Sequence, residues 1–140
     1  MSEVKSEPGK AAAWQATFIS RRLSKARSYT YSVIEAAGNL HKGVFAGLEE
    51  SWTQRGPAEP FIIQALKIDS TAAYETAIKK GKGAADYIKK NPDKTVSFLL
   101  EKTKRFPSLT WRVIWGESVG TSNFSVFVDA SSGEYLETMR

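Results

Sequence analysis

The stretch Leu109-Thr110-Trp111-Arg112-Val113-Ile114-Trp115 decides the fold. Leu109, Trp111, Val113 and Trp115 fall on one face of a strand, against Thr110, Arg112 and Ile114. This is period two, the pattern of a half-covered β-strand, and its branched and aromatic residues suit a pleated surface.

The same pattern recurs on either side. Residues 95–104 set Val96, Phe98 and Leu100 on one face, and residues 123–128 set Phe124, Val126 and Val128 opposite Ser125 and Phe127. Asp129-Ala130-Ser131-Ser132-Gly133 is a turn cluster, followed by a short closing strand at Tyr135 and Leu136. Short connections favour an antiparallel meander, and such sheets commonly bury one face.

Upstream lies the helical cover. Asp69-Ser70-Thr71 supplies N-cap oxygens, and Ala73, Tyr74, Ala77 and Ile78 form an apolar stripe. Gly81 and Gly83 interrupt it, because glycine costs about 1 kcal/mol relative to alanine inside a helix. Two short helices follow, about 70–80 and 83–90, the second ending at Asn91-Pro92-Asp93.

In the first half, Ala12, Ala16, Ile19 and Leu23 recur at spacings of four, three and four, which predicts a helix over 10–26. Trp14 and Phe18 lie round the helix from that stripe and need other cover. Strands are expected at 28–34 and 43–53, separated by a turn at Ala37-Gly38-Asn39. A loop at 54–60 contains two prolines, which cannot sit inside a sheet. Residues 61–68 are nearly all apolar and read as a central strand covered on both faces.

The predicted order is α-βββ-αα-βββ. It implies an α+β protein with one antiparallel sheet of about six strands and helices on one face. Two units of similar order, 10–68 and 69–140, suggest an internal duplication within one compact domain, preceded by a loose tail at 1–9.

The second unit resembles the PepSY domain family. Lys67-Ile68-Asp69-Ser70, followed by Ala73 and Ala77, is similar to that family's opening strand and helix. Pro107-Ser108-Leu109-Thr110-Trp111-Arg112-Val113 is similar to its W-x-V strand. Residues 124–133, Phe124 to Gly133, resemble its closing V-x-V-D-A-x-T-G segment, with Ser132 where threonine is common. The likeness covers about residues 66–138, and the first unit reads as a second copy of the same plan. The resemblance implies an extracytoplasmic module that binds or restrains proteases or other partners, with no catalytic residues to carry over. A duplicated helix-and-sheet unit is also similar in general plan to the β-lactamase inhibitor protein, an analogy of fold alone.

Composition agrees with a packed, soluble protein. The chain has 140 residues, 41% apolar, and its aromatics include four tryptophans. No cysteine is present, which excludes disulfides, thiol nucleophiles and Cys-bound zinc. No apolar run approaches the roughly 18–20 residues of a membrane span. The polar start MSEVKSEPGK places the chain in the cytoplasm as it stands, or outside it if a leader precedes. The net charge of +5 raises nucleic acid as a partner, although a small solvated domain ordinarily carries such a charge.

Catalytic and metal chemistry find little footing. His41 is the only histidine and sits beside turn residues, and carboxylates do not cluster as a calcium loop requires. Glu49 and Glu50 are neighbours on a strand and point to opposite faces. Residues 116–122 look like a phosphate cradle but lack the Gly-Lys-Ser/Thr ending and read as a hairpin loop. No cofactor or metal is expected.

Two constellations remain. Arg21, Arg22, Lys25 and Arg27 gather where the first helix should end, and Lys79, Lys80 and Lys82 where the second does. The helix dipole favours cations there without any ligand, and aromatics for base stacking are not interleaved with the charges, so nucleic acid is not the expected partner. Trp14, Tyr74, Trp111 and Trp115 are the candidate apolar contact or pocket, and Trp111 and Trp115 are either core or binding surface. The leading expectation is a non-enzymatic binding or regulatory module for a protein or peptide, with an inhibitory role among the options. The alternatives are an anionic-surface or nucleic-acid binder at the basic helix ends, and a small-molecule pocket between helices and sheet.

Overall fold

A computed structural model describes residues 9, 11, 13–32, 43–53, 59–116 and 118–140. Along them run β1 (Ala13–Ser20), β2 (Lys25–Ser32), β3 (Gly43–Ala46), β4 (Glu50–Ser51), a 3-10 turn (Ile63–Ala65), α1 (Ser70–Lys80) and α2 (Ala84–Lys90). Then follow β5 (Val96–Glu101), β6 (Thr110–Trp115), β7 (Ser125–Asp129) and β8 (Tyr135–Met139). The chain divides into two compact units: a small one, Ala11–Gly56, and a large one, Pro57–Arg140 with Met1–Lys10.

The large unit follows the alternation in the sequence. Its sheet is antiparallel, in the order β5-β6-β7-β8. Register puts Phe98, Val113, Val126 and Thr138 in one row, and Leu100, Trp111, Val128 and Tyr135 in the next. Phe127 pairs with Glu137 while Val128 pairs with Tyr135, so Leu136 is an extra residue that forms a bulge.

α1 and α2 stand where the stripe and the two glycines place them. Asp69 caps α1, its carboxylate accepting from the Ala72 N–H at 2.8 Å. Ala73, Ala77 and Ala84 are fully buried, as are Val113, Val126 and Val128. Burying a valine side chain contributes about 1.5–3 kcal/mol. Small residues on the helices against branched ones on the sheet let the two layers approach closely. Between them runs an aromatic ladder. Tyr74 stacks on Trp115 at 6.3 Å, Trp115 meets Phe124 edge-on at 5.5 Å, and Tyr87 lies flat on Phe124 at 4.3 Å. Gly9 is tied to this unit: its carbonyl accepts the Ser70 hydroxyl at 2.6 Å and the Thr71 hydroxyl at 3.2 Å.

The small unit departs from expectation. Residues 13–32 form a β-hairpin, not a helix over 10–26. A spacing of four residues fits both periods: it is one helical turn and also an even number of strand positions. Trp14 and Phe18 therefore share a face either way. Trp, Thr, Phe and Ile within 14–19 prefer strands, and cross-strand pairing with Tyr29 and Tyr31 decides the outcome. The turn at 21–24 closes with the Ser24 N–H donating to the Arg21 carbonyl at 3.4 Å. The Ser20 hydroxyl accepts from the Leu23 N–H at 3.3 Å.

Three further expectations change. The sheet is not one layer of six strands: each unit has its own four-stranded antiparallel sheet. The strand expected over 43–53 is two short ones, β3 and β4, both pairing with β2. The small unit holds no helix among its described residues, where β1 and β2 stand in place of the expected helix and first strand. The tail apart from Gly9, the turn at Ala37-Gly38-Asn39, His41 and residues 54–58 lie outside the described residues.

Candidate functional site

The apolar run 61–68 is not a covered central strand. Ile62 and Ile63 are 70% and 60% exposed, and Phe61 and Leu66 are also on the surface. Backbone hydrogen bonding explains why no sheet is needed. The Ala65 and Leu66 N–H groups donate back to the carbonyls of Ile62 and Ile63, at 3.1 and 3.0 Å, closing the 3-10 turn. The Lys67 and Ile68 N–H groups both donate to the Ala130 carbonyl, at 2.9 and 3.1 Å. A backbone satisfied in this way can carry apolar side chains into solvent.

This knuckle is clamped to the rest of the large unit. The Ser131 hydroxyl donates to the Ala65 carbonyl at 2.6 Å, and the Trp111 indole N–H donates to the Ile68 carbonyl at 3.0 Å. Asp129 organises the turn that supplies Ala130 and Ser131, its carboxylate accepting the N–H groups of Ser131 and Ser132 at 2.7 and 2.9 Å. Burial pushes the Asp129 carboxyl up. The hydrogen bonds from the Ser132 and Ser131 backbone and the Ser108 and Ser132 hydroxyls outweigh it, and the net shift is downward. Gly133 completes the turn at φ +80°.

The predicted aromatic site divides between the units. Trp14 lies on β1 of the small unit, whereas Tyr74, Trp111 and Trp115 belong to the large one. Trp111 and Trp115 are buried under the helices, so their strand face is core. The opposite face of that sheet carries Arg112, Phe127 and Glu137 in one row. Arg105 and Arg112 sit against the Phe127 ring, 4.8 and 5.1 Å from its centroid, and Arg105 pairs with Glu137 at 2.8 Å. Burial pushes the Arg112 guanidinium down; Glu101 opposes that shift and Arg105 adds to it.

The predicted basic residues also divide. Lys79 and Lys80 occupy the last turn of α1, where the dipole accounts for them, and Lys82 follows it. Arg21 and Arg22 instead lie in the hairpin turn, with Lys25 and Arg27 on β2, so no helix end explains these four. Register puts Trp14, Tyr31 and Val44 in one row, Ala16, Tyr29 and Ala46 in the next, then Phe18 with Arg27 and Ser20 with Lys25. Rings and cations thus share one face of the small sheet. Phe18 meets Tyr29 edge-on at 5.5 Å.

Among the described residues no group of three or more His, Asp or Glu is placed to hold a metal ion, and no helix is long and apolar enough to cross a membrane. No protein-family model, curated protein or solved structure matches this chain.

Proposed function

We propose that the protein is a non-enzymatic binding module whose large unit recognises an apolar segment of a protein or peptide through the knuckle at Phe61, Ile62, Ile63 and Leu66. Its kinship with PepSY-like domains over about residues 66–138 is part of the same reading. The observation that carries the proposal is that these side chains are exposed on a backbone held by the Ala130 carbonyl and the Ser131 hydroxyl. Exposed apolar groups on a fixed scaffold lose little conformational entropy when a partner covers them. The three stretches that resemble PepSY domains contribute to that scaffold: Lys67-Ile68, the strand with Trp111, and the turn after Asp129.

Selection of a displayed random-peptide library on the immobilised full chain tests this. Peptides with apolar anchors should be enriched, and the Ile62→Asp/Ile63→Asp chain should lose them. Absence of enrichment, or equal capture by the double variant, would overturn the proposal.

A further inference from the structure

We propose that the face of β1, β2 and β3 bearing Phe18, Tyr29 and Tyr31 is a stacking platform for single-stranded nucleic acid. This concerns the small unit and does not depend on the knuckle of the large one. Phe18 and Tyr31 are 50% and 45% exposed, a large apolar area to leave in water on so small a sheet. Tyr29 and Tyr31 share this face two residues apart, about 6.8 Å along the strand, so each ring can receive its own base.

The charges select the occupant. An apolar protein partner would leave cations stranded among the rings, whereas a polyanion with aromatic bases uses both. Lys25 and Arg27 stand in the same rows as Ser20 and Phe18, and Arg21 and Arg22 lie in the turn beyond. The described residues of this unit carry four cations against two carboxylates, Glu49 and Glu50. Glu50 pairs with Ala26 and so belongs to the opposite face. Glu49 lies 3.8 Å from Arg27, both half exposed, a pair weak enough for a phosphate to displace. Backbone phosphates on cations and bases on rings are the general recipe for single-strand binding, and a duplex would hide its base faces. Among the described residues the opposite face carries the exposed Phe45 but no cation in its strand rows, and Thr17 and Ser28 join their hydroxyls across it at 2.8 Å.

The test is fluorescence anisotropy of a labelled oligothymidine of about 20 nucleotides, longer than one site of roughly 4–16, against the full chain. Between about 50 and 200 mM salt, four cations predict a slope of log K against log salt near −3. Phe18→Ala and Tyr31→Ala should each weaken binding by roughly five- to a hundredfold with the slope unchanged. Arg21→Ala and Arg22→Ala should each flatten the slope by about 0.7. Phe18→Trp should keep the affinity and add a tryptophan signal quenched by the oligonucleotide, which separates a lost ring from a lost fold. Thr17→Ala, on the other face, should change nothing. The proposal is overturned if the oligonucleotide does not bind, if the two ring deletions bind as the wild type does, or if polyglutamate of equal charge competes as well as the oligonucleotide.

Discussion

The indole N–H of Trp111 donates to the backbone carbonyl of Ile68 at 3.0 Å, joining a core strand to the chain leading into α1. The bond lets a large aromatic be buried with its polar handle satisfied. It also fixes the end of the knuckle against β6. Trp111→Phe keeps a ring but removes the donor and some volume. It should lower stability by about 1–3 kcal/mol, read from the urea midpoint.

Asp129 makes the turn sensitive to acid. Its folded carboxyl is held below the ordinary value, so its contribution is present above the unfolded pKa of about 3.9 and is lost as pH falls through the folded value. Asp129→Ala removes both backbone hydrogen bonds and should cost about 1–2 kcal/mol at pH 7. Urea midpoints measured from about pH 7 down to about pH 2 should show the gap between wild type and variant closing on the acid side.

Gly133 sits at φ +80°, where an added Cβ would meet only ordinary contacts with Ile68. Steric room is thus available, and the penalty is one of backbone conformation. Gly133→Ala should cost about 1–2 kcal/mol, with the fold retained by circular dichroism.

Arg105 and Glu137 form a short ion pair, but both side chains are well exposed. Glu137→Gln should therefore change stability by less than about 1 kcal/mol, and about 1 M salt should remove most of the difference. The cation–ring contact of Arg105 with Phe127 survives that substitution, so Arg105→Ala should cost more than Glu137→Gln.

The large unit was legible because its signals agree. Asp69 caps, the glycines at 81 and 83 interrupt, and the alternation from Val96 to Val128 fixes which face is buried. The small unit is not legible locally because Ala16, Ile19 and Leu23 satisfy a helical stripe, while the tyrosines that pair with 14–18 lie more than ten residues away. Local periodicity carries no record of such pairing. The aromatic and cationic face is hidden for the same reason, since the strand pairing is what brings Phe18 and Arg27 together. The knuckle is hidden for another reason. A nearly continuous apolar run reads as buried whichever backbone carries it, and the Ser131 and Ala130 contacts that hold it outward are distant in sequence. Pro60, Gln64 and Lys67 are the local hints.

The central claim is that Ile62 and Ile63 belong to a surface built for contact rather than to the core. The urea midpoint of the Ile62→Asp/Ile63→Asp chain tests it most directly. Exposed sites predict stability within about 0.5 kcal/mol of wild type. A loss of several kcal/mol, as when charges enter a packed interior, would contradict it.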